Sequence, residues 1–127
     1  MYPSTDSNHT ELAWNEIGNV GGRAAIQIHS SPVSSGNGYA MFDLLIHDNR
    51  IHDVVGEGIL IDTVDPSKGP VQVYNNVIWN TGRTQGGNAI YGATSSDFDT
   101  SHGVGSGYID IFNNTIYDWK GGAGIGT

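Results

Sequence analysis

The sequence predicts an all-β fold, a parallel β-helix (solenoid) of about four to five rungs, in a single domain over residues 1–127. Three observations carry this prediction: four internal repeats, alternation of apolar residues around one asparagine in each repeat, and a composition rich in glycine but poor in lysine and glutamate. The 19 glycines accompany only four prolines, which is typical of a protein with many turns between short strands.

Each repeat shows the same order of residue types. An asparagine is followed by a β-branched residue two positions later, by Asn or Asp at the fourth position, and then by a glycine and a second apolar run. The visible repeats cover about residues 12–127 and begin with the segments Leu12–Gly21, Ile46–Gly56, Val73–Gly82 and Ile111–Gly121. Their aligned asparagines are Asn15, Asn49, Asn76 and Asn114, at separations of 34, 27 and 38 residues.

The unequal separations predict surface loops on one edge of the solenoid. A rung of three short strands and their turns needs roughly two dozen residues, and the excess falls after the second apolar run of each repeat. These insertions, at about residues 30–40, 63–70 and 93–107, are rich in Ser, Gly, Pro and Asp. The last repeat stops within a rung, from which we expect a truncated fragment of a larger protein, a degradation product or a chain that stacks end to end.

The aligned asparagines predict a vertical file of side chains. Stacked rungs bring equivalent residues to about 4.8 Å apart, where each amide can donate to the next, as amide ladders do in cross-β stacks. Asparagine also tolerates the left-handed backbone of a sharp turn. Inward Ile and Val residues of the same repeats are expected to form the core.

Two segments carry a resemblance to a known family: Tyr74–Gly82, with the sequence YNNVIWNTG, and Phe112–Asp118, with the sequence FNNTIYD. In these segments the chain resembles the right-handed parallel β-helix repeat family, the pectate-lyase-like superfamily. The resemblance extends over about residues 12–127 and implies the fold. Family members include polysaccharide lyases, glycoside hydrolases, esterases, phage tailspikes and a few β-helical carbohydrate-binding modules, so the resemblance favours a polysaccharide ligand.

Charge and composition exclude several classes of partner. The net charge of −8 makes nucleic acid an improbable partner, because phosphate binding requires a basic face. The same charge hinders docking on an anionic membrane, and no apolar run approaches the ~18 residues that a membrane span needs. It also weighs against an acidic polysaccharide unless calcium bridges the two. The chain has no cysteine, which excludes disulfides and cysteine–metal sites.

Outward-facing aromatic side chains are the main candidates for ligand binding. With Ile78 inward, alternation predicts one outward column of Gly18, His52, Trp79 and Tyr117, and a second of Ala13, His47, Tyr74 and Phe112. Aromatic rings stack on the C–H faces of sugars. The candidate ligand-binding residues are Trp79, Tyr117, Tyr74, Phe112, Trp119, His52 and Tyr91. Alternatively, these rings pack under loops or a neighbouring domain, or stack only for stability.

Acidic residues and histidines in the loops are candidates for metal binding or catalysis. Asp62 and Asp65 share one loop, and Asp97 and Asp99 share the next with His102. Convergent carboxylates could bind calcium or act as a glycosidase pair, and otherwise they are solvated loop charges. His52 beside Asp53 is a candidate base, although alternation is expected to place the two side chains on opposite faces. No spacing is diagnostic of a catalytic set, and catalytic residues stay unassigned.

These observations favour a secreted, non-catalytic carbohydrate-binding module for a plant cell-wall polysaccharide such as xylan. No cofactor is expected, and calcium is left open as an alternative. One alternative is an enzyme fragment, a polysaccharide lyase or glycoside hydrolase. A second alternative is a structural or adhesive β-helix. The expected partners are a polysaccharide and either a neighbouring catalytic domain or further copies of the chain stacked end to end.

Overall fold

The computed structural model describes residues 1–4, 7–29, 41–83, 87–93 and 107–127, and within them it contains twelve short β-strands. In chain order they are β1 (Thr10–Ala13), β2 (Glu16–Val20), β3 (Ala24–His29), β4 (Leu44–His47), β5 (Arg50–Val54), β6 (Glu57–Asp62), β7 (Val71–Tyr74), β8 (Val77–Trp79), β9 (Ile90–Gly92), β10 (Asp110–Phe112), β11 (Thr115–Tyr117) and β12 (Ile125–Gly126). No helix that could cross a membrane occurs in these ranges.

The strands form three parallel sheets of four strands each. The orders are β1-β4-β7-β10, β2-β5-β8-β11 and β3-β6-β9-β12, so the chain visits the three sheets in the same order four times. We call the three the first, second and third sheet, and each passage through all three a rung. The predicted all-β class and the parallel pairing are confirmed, and the topology is consistent with a parallel β-solenoid of four rungs.

The register of the sheets confirms the alignment of the repeats. In the second sheet Ile17 pairs with Ile51, Ile51 with Ile78, and Ile78 with Ile116. In the third sheet Ile26, Ile59 and Ile90 continue the same pattern. Because strands alternate, one register puts every second side chain of each rung inside. The isoleucines of the second and third rungs in these two sheets are fully buried, whereas Ile17 and Ile116 are partly buried and Ile125 is exposed.

Left-handed residues mark the two ends of each strand in the second sheet. The position before the aligned asparagine is occupied by Trp14, Asp48, Asn75 and Asn113, and the fourth position after it by Asn19, Asp53, Asn80 and Asp118. Their φ angles lie between 52° and 61°. Asn and Asp adopt this conformation more readily than other non-glycine residues because their short side chains bond to the local backbone. Seven of the eight positions follow that preference.

The segment 63–70 joins β6 to β7, where the sequence predicts an insertion. The other two predicted insertions, apart from Ala93 and Gly107, lie outside the described residues. At the first rung, Met1–Ser4 runs along the edge of β3: the Gln27 amide donates to the Met1 carbonyl at 2.9 Å, and Ser4 forms a parallel bridge with His29. This segment covers a strand edge that would otherwise be open to another chain.

Candidate functional site: the asparagine corner

A ladder of four asparagines forms the corner between the first and second sheets. The Nδ2 atom of each donates to the Oδ1 atom of the next at 2.9 Å, from Asn15 to Asn49, from Asn49 to Asn76 and from Asn76 to Asn114. Each Oδ1 also accepts from the backbone amide of the preceding asparagine at 3.0–3.1 Å. The ladder thus satisfies backbone groups that the sharp turn removes from the sheets, and it fixes the strands on both sides.

One file of rings lies on the outer face of the first sheet. His47, Tyr74 and Phe112 occupy equivalent positions, two residues before the ladder. The His47 and Tyr74 ring centroids are 4.6 Å apart with planes at 6°, and those of Tyr74 and Phe112 are 5.1 Å apart at 5°. We call this the first file. The first rung has Ala13 at this position, and the Trp14 ring meets His47 edge-on at 82°.

A second file of rings lies on the outer face of the second sheet. His52, Trp79 and Tyr117 stack at centroid distances of 4.5 Å and 5.8 Å with planes at 13° and 3°. The Arg50 guanidinium carbon lies 5.9 Å from the centroid of the Trp79 ring, within cation–π range. Gly18 continues this file, and a side chain there would overlap the His52 ring. The register confirms both predicted columns.

The histidine of each file, His47 or His52, is held between two carboxylates. The His47 Nδ1 atom is 2.8 Å from Asp48 Oδ2, and its Nε2 atom is 2.8 Å from Glu11 Oε1. His52 repeats the arrangement, with Nδ1 at 2.7 Å from Asp53 and Nε2 at 3.6 Å from Glu16. For His47 this geometry favours the charged form of the ring, in which both nitrogens donate.

The charges in these clusters shift two pKa values. The Asp48 carboxylate, with a further contribution from Glu11, raises the pKa of His47 above its ordinary value of 6.5 although burial opposes the shift. The hydrogen bonds from His52 and Asn80 lower the pKa of Asp53 below 3.8. The first cluster therefore favours an imidazolium at His47 beside two carboxylates.

The contact between His52 and Asp53 corrects one expectation from alternation. The two side chains were expected on opposite faces, yet they are hydrogen-bonded. Asp53 has φ of 54°, so strand alternation ends at His52 and the left-handed turn brings the carboxylate back beside the ring. The glutamates come from the first rung, 36 residues from the histidine in each case. The sequence could have predicted these two contacts only through the register that places the strands of Glu11 and Glu16 beside those of His47 and His52.

No protein-family model, curated protein or solved structure matches this chain.

Five of the seven predicted ligand-binding residues lie together at this corner: His52, Tyr74, Trp79, Phe112 and Tyr117. The other two lie elsewhere. Tyr91 is on the third sheet, paired with Leu60 and with Gly126 of the last rung. Trp119 turns back on the glycine-rich tail, where its Nε1 donates to the Gly122 carbonyl at 3.1 Å.

Of the four aspartates predicted as candidates for calcium binding, the structure describes Asp62 and Asp65. Asp62 is buried and lies against His29 and Thr63, at 3.3 Å and 3.2 Å. Asp65 accepts from Ser67 and forms an ion pair with Lys68 at 3.3 Å. Asp97 and Asp99, together with His102, lie outside the described residues. Within the described ranges no three His, Asp or Glu side chains converge as metal ligands, and calcium binding stays a prediction.

Proposed function

We propose that this chain is a carbohydrate-binding module that recognises a neutral plant cell-wall polysaccharide, such as xylan, at the asparagine corner. One observation carries the proposal: six rings stand in two parallel files on the outer sides of two sheets, on either side of one corner, and the last ring of each file is exposed. Grouped exposed aromatics on a small acidic domain are typical of an interaction surface. Sugars offer C–H faces for such rings and hydroxyl groups for nearby carboxylates and amides.

The stacking defines which ring surfaces a sugar would contact. Inside each file the ring faces cover one another, so the half-buried Tyr74, His52 and Trp79 rings offer only their edges, and His47 is buried. The last rings, Phe112 and Tyr117, are 44% and 48% exposed, and no described ring covers their outer faces. The spacing of rungs, about 4.8 Å, is close to the rise of one sugar in an extended β-linked chain. A polysaccharide running along one file would meet one ring on each of the second, third and fourth rungs.

The charges at the corner favour a neutral ligand. Glu11 and Asp48 flank the first file and Glu16 and Asp53 flank the second, while the whole chain has a net charge of −8. Carboxylates accept hydrogen bonds from sugar hydroxyls but repel uronates. A xylan, glucan or mannan chain is therefore preferred over pectin.

The proposal also covers the fold superfamily, the cellular location and the partners of the protein. We assign the fold to the right-handed parallel β-helices of the pectate-lyase-like superfamily, because parallel crossovers within one sheet are right-handed in about 98% of cases and the asparagine ladder runs through all four rungs. A module for cell-wall polysaccharide works outside the cell, so secretion belongs to the proposal. The expected partners are the polysaccharide and either a neighbouring catalytic domain or a second copy stacked end to end.

A structural role is the second candidate, and the ring geometry favours it. Stacking at 4.5–5.8 Å with planes within 13° stabilises adjacent rungs without any ligand. In that case the corner would be a reinforced edge of a structural or adhesive solenoid. Glycan binding distinguishes the two roles directly.

Affinity electrophoresis against xylan, soluble β-glucan, mannan and pectin, with assays for reducing sugars and unsaturated products, tests the proposal. Wild type is expected to be retarded by a neutral glycan without forming products. Tyr117→Ala should reduce the affinity about tenfold or more, because Tyr117 is the most exposed ring of the two files, at 48%.

The matched control is Tyr91→Ala, which removes a tyrosine from the third sheet and should leave binding unchanged. Circular dichroism checks that both variants keep their β-structure. Product formation by the wild type would support the lyase or hydrolase alternative. Absence of binding to every glycan would leave the structural role.

A further inference from the structure

Trp14 occupies a position that suits it poorly. In the other three rungs the equivalent residue is Asp48, Asn75 or Asn113, each with φ between 52° and 55°. Trp14 has φ of 61°. A bulky side chain is disfavoured in the left-handed region because its Cβ approaches the backbone carbonyl, whereas Asn and Asp compensate through local hydrogen bonds. Of the four residues at this turn position, the one least suited to a left-handed backbone therefore lies in the first rung.

Burial does not explain this choice. The Trp14 side chain is 78% exposed, the most of the three tryptophans. Its one ring contact among the described residues is edge-on with His47, at a centroid distance of 6.4 Å and an angle of 82°. The rings of the two files lose their faces to parallel neighbours, but an edge-on contact leaves the broad indole faces largely open to solvent. Strained and exposed residues of this kind concentrate at functional sites.

The surroundings of Trp14 supply polar partners for a hydroxyl-rich ligand. The His47 ring that it touches is hydrogen-bonded to Asp48 and Glu11, both at 2.8 Å. The Glu11 side chain is 63% exposed, so its carboxylate can also accept from a ligand. An open indole face beside carboxylates matches a sugar ring, which combines a C–H face with hydroxyl donors. It matches an anionic membrane poorly, since the carboxylates would repel the lipid headgroups.

We infer that Trp14 is a sugar-contacting residue of this chain, with its indole stacked on one pyranose ring of a neutral glycan while Glu11 and Asp48 accept hydrogen bonds from that sugar. This inference rests on the proposed function and adds a first-rung subsite to it. The two files and Trp14 then lie along one corner. The strain at residue 14 is retained because no Asn or Asp could supply the aromatic face.

The test is Trp14→Asn, which installs the residue that two other rungs have at this position. Its binding to xylohexaose, cellohexaose and mannohexaose is measured by isothermal titration calorimetry, and its melting temperature by circular dichroism. We expect the affinity for the best of the three to fall about tenfold or more. The melting temperature should stay level or rise by about 2–5 °C, because the strain is relieved. Trp14→Tyr keeps an aromatic face and should bind within about threefold of wild type.

The outcomes separate the two proposals. If wild type binds and Trp14→Asn binds equally well, this inference is overturned while the proposed function stands. If wild type binds none of the three oligosaccharides, both are overturned. A melting temperature of Trp14→Asn several degrees below wild type would contradict the strain on which the inference depends. Lost binding with an equal or higher melting temperature supports it.

Discussion

Asn76→Ala is expected to destabilise this protein far more than the same change at the first rung of the ladder. The Asn76 side chain is fully buried. Its Nδ2 atom donates to the Ile46 and Tyr74 carbonyls and to Asn114 Oδ1, and its Oδ1 atom accepts from the amide and side chain of Asn49, all at 2.9–3.1 Å. Alanine removes all of these bonds and leaves the buried Asn49 amide without its acceptor.

The magnitude follows from these bonds. A buried backbone donor left unpaired costs about 1–3 kcal/mol, and each further hydrogen bond contributes about 0.5–1.5 kcal/mol net. Two to three independent bonds remain after allowing for the two hydrogens of one amide group, so the total is about 2–7 kcal/mol. At Asn15 the side chain donates to Ala13 and to Asn49 only, and Asn49 Oδ1 keeps the Asn15 amide as a donor. Asn15→Ala should cost about 1 kcal/mol.

Urea unfolding followed by circular dichroism measures both changes in free energy of unfolding. The matched control is Asn75→Gly at the neighbouring exposed position, where φ is 55°. Glycine accepts this backbone, so the change should lie within about 0.5 kcal/mol of wild type. Equal losses at Asn15 and Asn76 would refute the role assigned to the accepting Oδ1 atom. A loss below about 1 kcal/mol at Asn76 would refute the ladder as a source of stability.

Two further predictions concern pH and backbone crowding. The hydrogen bond to Asp48 raises the pKa of His47, so stabilisation by the charged ring is fully present below about pH 6.5 and is lost as the pH rises through the folded-state pKa. The melting temperature of wild type should therefore fall more than that of His47→Gln between about pH 6 and 8; parallel curves would contradict this. Gly56→Ala should destabilise by about 1–3 kcal/mol, because its Cβ would overlap the Arg23 carbonyl oxygen. Gly21→Ala, where the space is open, should cost less than about 1 kcal/mol in the same urea titration.

The repeats in the sequence determine the fold of this protein to the level of register. Stacked rungs have a single alignment that turns the repeated aliphatic positions inward, because a shift of one residue would turn the whole set outward. The spacing around Asn76 was therefore sufficient to predict the ladder, the inward position of Ile78 and both outward columns. The same reasoning predicted an insertion at residues 63–70, where β6 passes to β7.

Only the tertiary structure decided how the outward side chains meet. Periodicity predicts that the Trp79 side chain points outward. The face-to-face stacking of its ring on His52 and Tyr117 depends instead on side-chain torsions and on rings that lie 27 and 38 residues away along the chain. The Glu11–His47 contact depends likewise on two rungs being adjacent. Alternation could not place the Trp14 side chain, because it has no meaning in a left-handed turn. The sequence pattern determines which residues lie in one file, whereas contacts between files and turns arise from three-dimensional packing that no one-dimensional period encodes.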